Sequence, residues 1–200
     1  MLALSLAEAG AAPVNLLTAD AGLRDVLAVR AGQTVLVTAA AGGLGHLAAQ
    51  LAVHAGARVI ATASRDHHDF VHKLGVGQVV DHHDPDWPRQ VRDMSAGGVD
   101  SALSCVSATT AGAAAATRDG GVVATPAHGG DAPADGRVQV RQYNGPLEGH
   151  RLIRLAPALD DGAVALVVSA RFDLDDAPAA HRQVEQGHSR GKIVLSVAED

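Results

Sequence analysis

The sequence is poor in several of the residues from which binding sites are commonly built. It has one cysteine, Cys105, which excludes an internal disulfide and a cysteine-based zinc cluster, so we expect a reducing, cytoplasmic setting. Aromatic residues make up 2% of the 200 residues, so a large aromatic-lined pocket is not expected from this chain alone. The 16 basic residues are scattered among 22 acidic ones, and the net charge is −6. Nucleic acid is therefore not expected as a partner, because phosphate binding needs a clustered basic face.

Long apolar runs are also absent. No stretch approaches the roughly 20 uninterrupted apolar residues that a membrane span needs, so no membrane association is expected. The first residues, Met1–Leu6, are apolar but include no basic residue, and Glu8 follows them closely. They therefore predict an ordinary helix rather than a signal peptide. Hydrophobic residues still make up 47% of the chain, which is enough to build the core of one domain.

The sequence does contain a regular alternation of strand and helix patterns. Thr34–Thr38 is a continuous β-branched and apolar run, which is typical of a strand buried on both faces of a parallel sheet. Further strands are predicted at Arg58–Ala63, Gln78–Val80, Val99–Val106, Gly121–Thr125 and Arg137–Tyr143. Helices are predicted at Leu44–Ala55, Asp69–Leu74, Pro88–Met94, Ala108–Ala116 and Leu147–Leu159. The fold class is therefore α/β, with a doubly wound parallel sheet of about six strands.

The tail of the chain predicts an appendage to this sheet. A strand at Ala163–Ala170, a helix at Asp175–Gln186 and a strand at Lys192–Val197 follow one another, with a turn at Gly187–Gly191. We therefore expect a C-terminal strand, helix and strand beside the main sheet.

A glycine-rich turn joins the first strand to the first helix of the sheet. In the run Ala40-Ala41-Gly42-Gly43-Leu44-Gly45, Gly42 and Gly45 match the last two glycines of the G-x-G-x-x-G pattern, while Ala40 replaces the first. A pyrophosphate needs backbone N–H donors, a positive helix end and an approach closer than a Cβ permits. A purely structural turn is the alternative, but the motif requires this place between a buried strand and a helix. The sequence therefore predicts a Rossmann-type nucleotide site at Ala41, Gly42, Gly43, Leu44 and Gly45.

The end of the second strand indicates which nucleotide is bound. Folds that prefer NAD place an acidic side chain there, where it accepts hydrogen bonds from the ribose hydroxyls. Here Ser64 and Arg65 occupy that place, and a hydroxyl with a guanidinium suits a 2′-phosphate. Asp66 follows one or two positions late but remains an alternative ribose ligand, and Arg65 could instead be a solvated loop residue. NADP(H) is therefore favoured over NAD(H) as the cofactor.

Several blocks of the sequence, in order along the chain, resemble the medium-chain dehydrogenase/reductase superfamily, and within it the zinc-independent, quinone oxidoreductase-like branch. The blocks are Ala31–Gly45, Leu74–Asp81, Gly120–Val123, Phe172–His181 and Gly191–Leu195. The resemblance implies a reductase that passes a hydride from NADPH to an activated alkene, quinone or ketone. On this basis, residues 1–30 form an N-terminal helical segment and residues 31–145 an NADP-binding domain. Residues 146–200 are expected to form a C-terminal helix and a strand-helix-strand remnant of the catalytic domain.

The resemblance also implies where the rest of the cofactor lies. His82 falls where members of the superfamily often carry a tyrosine beside the adenosine. Cys105 and Val106, at the end of the fourth strand, and Pro126, after the fifth, would flank the nicotinamide. His128 lies just beyond and is the candidate proton donor to the reduced substrate, with an exposed loop histidine as the alternative.

The 11 histidines include two adjacent pairs, His67-His68 and His82-His83, which invite a metal-binding interpretation. Both pairs follow neighbouring strands. Adjacent histidines on a loop usually point in different directions, however, and no carboxylate or cysteine spacing completes a tetrahedral site. No metal is therefore expected.

Because this chain departs from the superfamily in two respects, the resemblance does not decide whether the chain has the superfamily's reductase activity. Its members usually carry an N-terminal GroES-like domain that forms the other wall of the cleft, and this sequence begins just before the cofactor domain. A homodimer through the sixth strand, a partner subunit or the loop His128–Gly136 is expected to cover the cleft. Ser104 and Ser107 replace the Asp and Gly of the usual fourth-strand motif. The alternatives to a reductase are a non-redox biosynthetic enzyme, such as a cyclase or dehydratase, and a non-catalytic NADP-binding module.

Overall fold

A computed structural model describes residues 4–126, 136–187 and 189–197. The helices are α1 (Leu6–Ala11), α2 (Pro13–Asp20), α3 (Gly45–His54), α4 (His68–Lys73), α5 (Trp87–Met94), α6 (Thr110–Ala116), α7 (Gly149–Asp160) and α8 (Ala177–Glu185). The strands are β1 (Thr34–Val37), β2 (Arg58–Ala63), β3 (Gln78–Asp81), β4 (Val99–Leu103), β5 (Thr117–Thr125), β6 (Gln139–Gln142), β7 (Val168–Asp173) and β8 (Lys192–Ser196). A π-helical turn at Ala21–Val26 continues α2.

The six strands β1 to β6 form one parallel sheet in the order β3-β2-β1-β4-β5-β6. The order reverses at β1, so the chain winds outward first to one side of the sheet and then to the other. This is the doubly wound Rossmann topology that the alternating pattern predicts, and the predicted fold class is confirmed. The predicted C-terminal appendage is also present, as a separate parallel pair of β7 and β8.

Helices cover both faces of the sheet, and the core is accordingly split in two. In β1, Val35 and Val37 point to the face that carries α2 and α3, whereas Leu36 points to the opposite face with Trp87 and Val91 of α5. All three strand residues are completely buried. Because both faces of this strand are covered, no alternate position is exposed to solvent and needs a polar residue. Thr34–Thr38 is therefore a continuous β-branched and apolar run.

The N-terminal helices pack on the first of these two faces. Ser5 caps α1, since its hydroxyl accepts from the Glu8 N–H while the Glu8 carboxylate accepts from the Ser5 N–H. Pro13 then starts α2 at the position where its missing N–H costs no helical hydrogen bond. Ion pairs join α7 to this region, with Arg154 at 2.6 Å from Asp20. The residues that precede the first strand in the sequence thus form a helical layer on one face of the sheet.

Several predicted strand boundaries were wrong, and β5, expected to begin at Gly121, begins at Thr117. The strand expected at Val99–Val106 ends at Leu103, because the Cys105 N–H donates to the Thr38 hydroxyl at 3.1 Å and the chain then turns. The strand expected at Ala163–Ala170 begins only at Val168, where pairing with β8 starts.

The apolar stretch before β7 is buried without being part of a sheet. Val164 and Leu166 are 1% and 8% exposed, so the pattern there reports burial and not strand pairing. Gln50 of α3 takes the place of a neighbouring strand. Its side chain accepts from the Ala165 N–H at 2.7 Å and donates to the Ala165 carbonyl at 2.9 Å. This buried amide fastens the segment that leads to β7 onto the first helix of the sheet.

β6 is the last strand in the sheet order and pairs with β5 alone among the described residues. Just after it, the Tyr143 hydroxyl donates to the Thr18 carbonyl at 2.9 Å, so this tyrosine anchors the strand end to α2. Dimerisation through β6 stays a prediction. Among the described residues, no helix is both long and apolar enough to span a membrane.

We predict that Gln50→Leu lowers the free energy of unfolding by about 1–3 kcal/mol, because the two groups of Ala165 lose their partner and the Gln50 site is buried. Urea unfolding followed by circular dichroism measures the change. Gln78→Leu, at an exposed position in β3, is the control and should shift the free energy by less than about 0.5 kcal/mol. Equal effects of the two substitutions would contradict the role given to Gln50.

Candidate cofactor site

A cavity of about 600 Å³ lies at the carboxyl ends of β1 and β2, between the glycine turn and the C-terminal strand. In an open parallel sheet this is the place where ligands bind, since the strand order reverses there. Its lining combines four chain segments. These are the turn (Ala39, Ala41, Gly42, Gly43), the end of β2 with the following turn (Ala63, Ser64, His67), the residues after β3 and β4 (His82, His83, Val106), and the C-terminal region (Val184, Gly187, Ser189, Gly191, Lys192, Ile193).

The glycine turn brings the chain from β1 into α3 through tightly bonded backbone. Ala39 has a φ of 50°, in the left-handed region, and its carbonyl accepts from the Gly42 N–H at 3.0 Å. The Ala40 N–H donates to the carbonyl of Thr62 in β2 at 2.9 Å. α3 then begins at Gly45, and the His46 N–H in its first turn donates to the Gly42 carbonyl at 3.1 Å, so the amino-terminal end of the helix adjoins the cavity-lining turn. A helix dipole directed at a glycine turn is the setting in which the motif predicts anion binding, and binding at this turn stays a prediction.

Packing requires glycine at position 45 and makes position 43 tight for a side chain. A Cβ on Gly45 would collide with the Ala39 carbonyl oxygen and lie 2.7 Å from Ala40 Cα. A Cβ on Gly43 would lie 3.1 Å from both Asn15 Nδ2 and Lys192 Cδ. Gly45 thus lets α3 start directly against the end of β1, whereas Gly43 lets the turn lie against the C-terminal strand.

The turn after β2 supplies polar groups at one end of the cavity. The hydroxyl of Ser64 lies 3.2 Å from His67 Nδ1. The side chain of Arg65 is 85% exposed, and its Nε lies 3.7 Å from a carboxylate oxygen of Asp81. A hydroxyl that lines the cavity is thus followed in the chain by an exposed guanidinium, and these two groups are of the kind that bind a phosphate ester.

The end of β4 is closed by a cluster of hydroxyl groups. Ser104, which is fully buried, lies 3.0 Å from the hydroxyls of both Thr109 and Thr110 and donates to the Val106 carbonyl at 3.0 Å. Thr38 joins the cluster at 2.7 Å from Thr109. Ser104 therefore stabilises the turn after β4 and does not face the cavity. Burial raises the pKa of the neighbouring Cys105 thiol to about 12, so this thiol is a poor nucleophile.

The C-terminal region contributes a site residue, Lys192, that the sequence pattern does not indicate. Lys192 begins β8 but also lines the cavity beside Gly43, and partial burial lowers the pKa of its ammonium group. The Gly191 N–H donates to the Ala41 carbonyl at 2.8 Å, which ties this region to the glycine turn. A lysine at the start of a strand gives no sign that a turn about 150 residues away lies beside it. Lys192 is the one basic residue in the apolar run that it begins, and this feature of the sequence could have marked it as a site residue.

His46 connects the same two parts of the structure from inside. It lies in the first turn of α3, is fully buried, and its Nδ1 donates to the Gly42 carbonyl at 2.9 Å. Its Nε2 accepts from the Val167 N–H at 3.3 Å. This pattern requires a neutral imidazole, and burial together with the positive charge of Lys192 lowers the pKa of His46.

The structure gathers some of the predicted site residues and leaves others aside. Ala41, Gly42, Gly43, Ser64, His82 and Val106 line the cavity. Leu44, Gly45 and Arg65 are not among the lining residues: the first two lie at the start of α3, and Arg65 is exposed with its Nε 3.7 Å from Asp81. Cys105 and Pro126 do not line the cavity. His128 and most of the proposed lid His128–Gly136 lie outside the described residues.

The side chains of the histidine pair after β3 lie together, although adjacent histidines on a loop were expected to point in different directions. The rings of His82 and His83 lie against each other with centroids 4.0 Å apart and their planes inclined by 33°. His83 Nδ1 also lies 3.1 Å from an oxygen of Asp81, a hydrogen bond that lowers the pKa of that carboxyl together with the bond from the His83 N–H. Asp81 was not among the predicted site residues, because the local pattern indicates only the end of a strand there.

With this geometry in place, comparisons with known proteins assign the family. Residues 74–195 match the family model described as zinc-binding dehydrogenase. The chain belongs to this family. The predicted membership of the dehydrogenase/reductase superfamily is therefore confirmed, since solved relatives of the same kind, described below, share its fold.

The similar curated proteins are much longer than this chain. It is 32% identical to the spectinabilin polyketide synthase system protein NorB of Streptomyces orinoci, with 96% of this chain and 9% of that protein covered. It is 31% identical to the erythronolide synthase EryA2 of Saccharopolyspora erythraea, with 95% and 6% covered. The chain thus spans less than a tenth of the length of these relatives.

Solved structures give the same family. An NAD-dependent alcohol dehydrogenase superposes with a TM-score of 0.87 at 33% identity, covering 98% of this chain and 60% of its own. A mycobacterial protein complexed with NADPH has a TM-score of 0.85 at 30% identity, covering 96% and 65%. The CurK enoyl reductase has a TM-score of 0.85 at 26% identity, covering 96% and 63%. The chain therefore spans just under two thirds of the length of each.

The family's name raises the question of zinc ligands in this chain. In the described part of the chain, Asp81, His82 and His83 are the one group of three or more His, Cys, Asp or Glu residues whose ligand atoms lie close enough to share an ion. Their imidazoles and carboxylate are acceptable zinc ligands. They lie at the Ser64 end of the cavity, and Cys105 is not among them. Zinc independence of the reaction stays a prediction.

We predict that His46 makes the stability depend on pH. Because the pKa of His46 is lowered in the folded state, the unfolded state takes up more protons once the pH falls below the ordinary histidine pKa of about 6.5, and stability decreases from there toward the folded pKa. Thermal unfolding at a series of pH values from about 7.5 to 5 measures the loss, with pH 7.5 lying above the unfolded pKa. His46→Asn should be less stable at the upper end and should flatten the dependence.

The control is His181→Asn, at an exposed position of α8. It should leave the slope of melting temperature against pH as in the parent. A slope that His46→Asn does not reduce would show that other groups are responsible.

Proposed function

We propose that this chain is the cofactor-binding part of an NADP(H)-dependent oxidoreductase that reduces an activated carbon–carbon double bond. The carrying observation is the cavity lined jointly by the glycine turn, Ser64 and Lys192, with the exposed Arg65 directly after Ser64 in the chain. The family membership and the solved relative complexed with NADPH support the same proposal. The solved relative described as NAD-dependent keeps NADH as the competing cofactor to be tested.

The residues suit the parts of a dinucleotide in order along the cavity. The N–H groups at the start of α3 and the Lys192 ammonium would hold the pyrophosphate, since both offer positive charge beside a backbone without Cβ. Ser64 and Arg65 would hold the 2′-phosphate, with His82 beside the adenosine. Val106, beyond the Ser104 hydroxyl cluster, would lie on the nicotinamide side.

Bound there, the nicotinamide would supply a hydride to the electrophilic carbon of the substrate. The chain's own part is to hold and orient this donor, because hydride transfer depends on position and on exclusion of water. A proton from solvent or from His128 would complete the reduction at the adjacent carbon. A second copy paired at β6, or a further polypeptide, would cover the cavity.

The substrate class that we favour is a 2-enoyl thioester. The similar curated proteins are described as polyketide synthases and one solved relative as an enoyl reductase, and a thioester carbonyl activates the adjacent double bond toward hydride. Quinones and ketones are the competing acceptors. A non-redox reaction has less support, because Ser104, whose presence motivated it, faces the interior and Ser107 does not line the cavity.

The proposal is tested by mixing the chain with NADPH and either crotonyl pantetheine or a benzoquinone, and following NADPH absorbance and products by mass spectrometry. The expected result is oxidation of NADPH with formation of the saturated thioester. Cofactor binding without turnover of either acceptor would favour a non-catalytic module. No binding of NADPH or NADH at millimolar concentration would overturn the proposal.

We predict that Arg65→Gln weakens NADPH binding by about tenfold and leaves NADH binding nearly unchanged, because a charged hydrogen bond to a phosphate contributes about 1.5–3 kcal/mol. Fluorescence titration with each cofactor measures the two dissociation constants. Arg58→Gln, at the exposed first residue of β2, is the matched control and should change neither constant. If Arg65→Gln weakens the binding of NADPH and of NADH equally, Arg65 does not bind the 2′-phosphate.

We predict that Lys192→Met weakens both cofactors by a similar factor, about tenfold, because it removes a positive charge beside the pyrophosphate and keeps an apolar stem against Gly43. The same titrations measure it. Lys73→Met, at the exposed end of α4, should bind both cofactors like the parent. If Lys192→Met binds NADPH within twofold of the parent, the ammonium group does not contact the cofactor.

A further inference from the structure

We propose that Asp81, His82 and His83 form a binding site for one divalent transition-metal ion at the mouth of the cavity. The three residues follow one another at the carboxyl end of β3, and their ligand atoms all lie within 4.8 Å of one another. This inference does not depend on the proposed reaction.

The side chains converge although their positions are adjacent in sequence. The ring centroids of His82 and His83 lie 4.0 Å apart, so both imidazoles turn to the same side of the chain. Asp81 ends β3 with its side chain 18% exposed, and the His83 N–H donates to its Oδ1 at 3.0 Å. The carboxylate is thereby held in place by the backbone, whereas the side chain of His83, 62% exposed, has room to adjust.

One ligand–ligand distance already matches a metal site. His83 Nδ1 and Asp81 Oδ1 lie 3.1 Å apart. Two ligands bound at about 2.0 Å with a tetrahedral angle lie about 3.3 Å apart, so an ion can replace the proton between these two atoms with little movement. His82 would supply the third ligand, since its ligand nitrogen lies within 4.8 Å of the ligand atoms of Asp81 and His83, and water would complete the coordination.

The donor set selects the class of ion. Two imidazoles and one carboxylate suit zinc, nickel or copper rather than magnesium or calcium, which take oxygen ligands. Arg65 lies 3.7 Å from the other carboxylate oxygen of Asp81, and its positive charge limits the affinity without occupying Oδ1. Both histidines also line the cavity, so a bound ion would stand at its entrance.

The test is isothermal titration of the chelator-treated, tag-free chain with zinc chloride. The expected result is one saturable site that the double substitution His82→Ala/His83→Ala removes. Asp81→Asn should weaken the site by at least about tenfold, since loss of even an outer-shell partner of a metal ligand costs about that much. The double substitution His150→Ala/His181→Ala, at two exposed histidines elsewhere, is the matched control and should bind zinc like the parent.

A second measurement avoids dependence on the folding of the variants. Electron paramagnetic resonance of the parent chain with one equivalent of Cu²⁺ should show nitrogen coupling from two imidazoles. Absence of that coupling, or zinc binding that survives in the His82→Ala/His83→Ala chain, would overturn the proposal. An equal loss of zinc binding in the His150→Ala/His181→Ala chain would also overturn it.

Discussion

The approach of α3 to the end of β1 is the contact on which the rest of this structure depends. It requires a position without a side chain at Gly45, because any Cβ there would collide with the Ala39 carbonyl. Once that approach is made, the amino-terminal end of α3 lies where the strand order reverses. The same contact therefore sets both the packing of the first helix on the sheet and the location of the cavity.

The cavity is completed by parts of the chain that are distant in sequence. His46 and Gln50, one helical turn apart on α3, hold Val167 and Ala165 of the segment that leads to β7. The Gly191 N–H then returns to the Ala41 carbonyl and brings Lys192 beside Gly43. Protonation of the buried His46 imidazole would thus disturb the contacts of α3 with both the glycine turn and the C-terminal sheet. This explains how a region outside the six-stranded sheet comes to line a site at its centre.

The family assignment identifies the relatives of this chain, whereas the local chemistry indicates which residues could form its site, and the two support each other. The match over residues 74–195 runs from before β3 into β8 and leaves the glycine turn outside, whereas the proposal of a phosphate site rests on that turn. The hydroxyl cluster around Ser104 shows why a substituted family position need not be a new catalytic group. Its four hydroxyls are hydrogen-bonded to one another, and they hold the turn after β4.

The sequence by itself determined the fold class, the six strands of the main sheet and the position of the glycine turn. Burial on both faces produces continuous apolar strands, and a close backbone approach requires glycine, so both leave local patterns. It did not determine where β7 begins, because Val164 and Leu166 are buried without strand pairing and an apolar pattern cannot distinguish the two cases. Nor did it determine where β4 ends, because the chain there is bonded through Cys105 to Thr38, which is distant in sequence. Only the tertiary structure placed Lys192 beside Gly43, turned Ser104 inward and brought His82, His83 and Asp81 together. These contacts depend on side-chain direction and on long-range packing, neither of which is encoded in the spacing of residues along the chain.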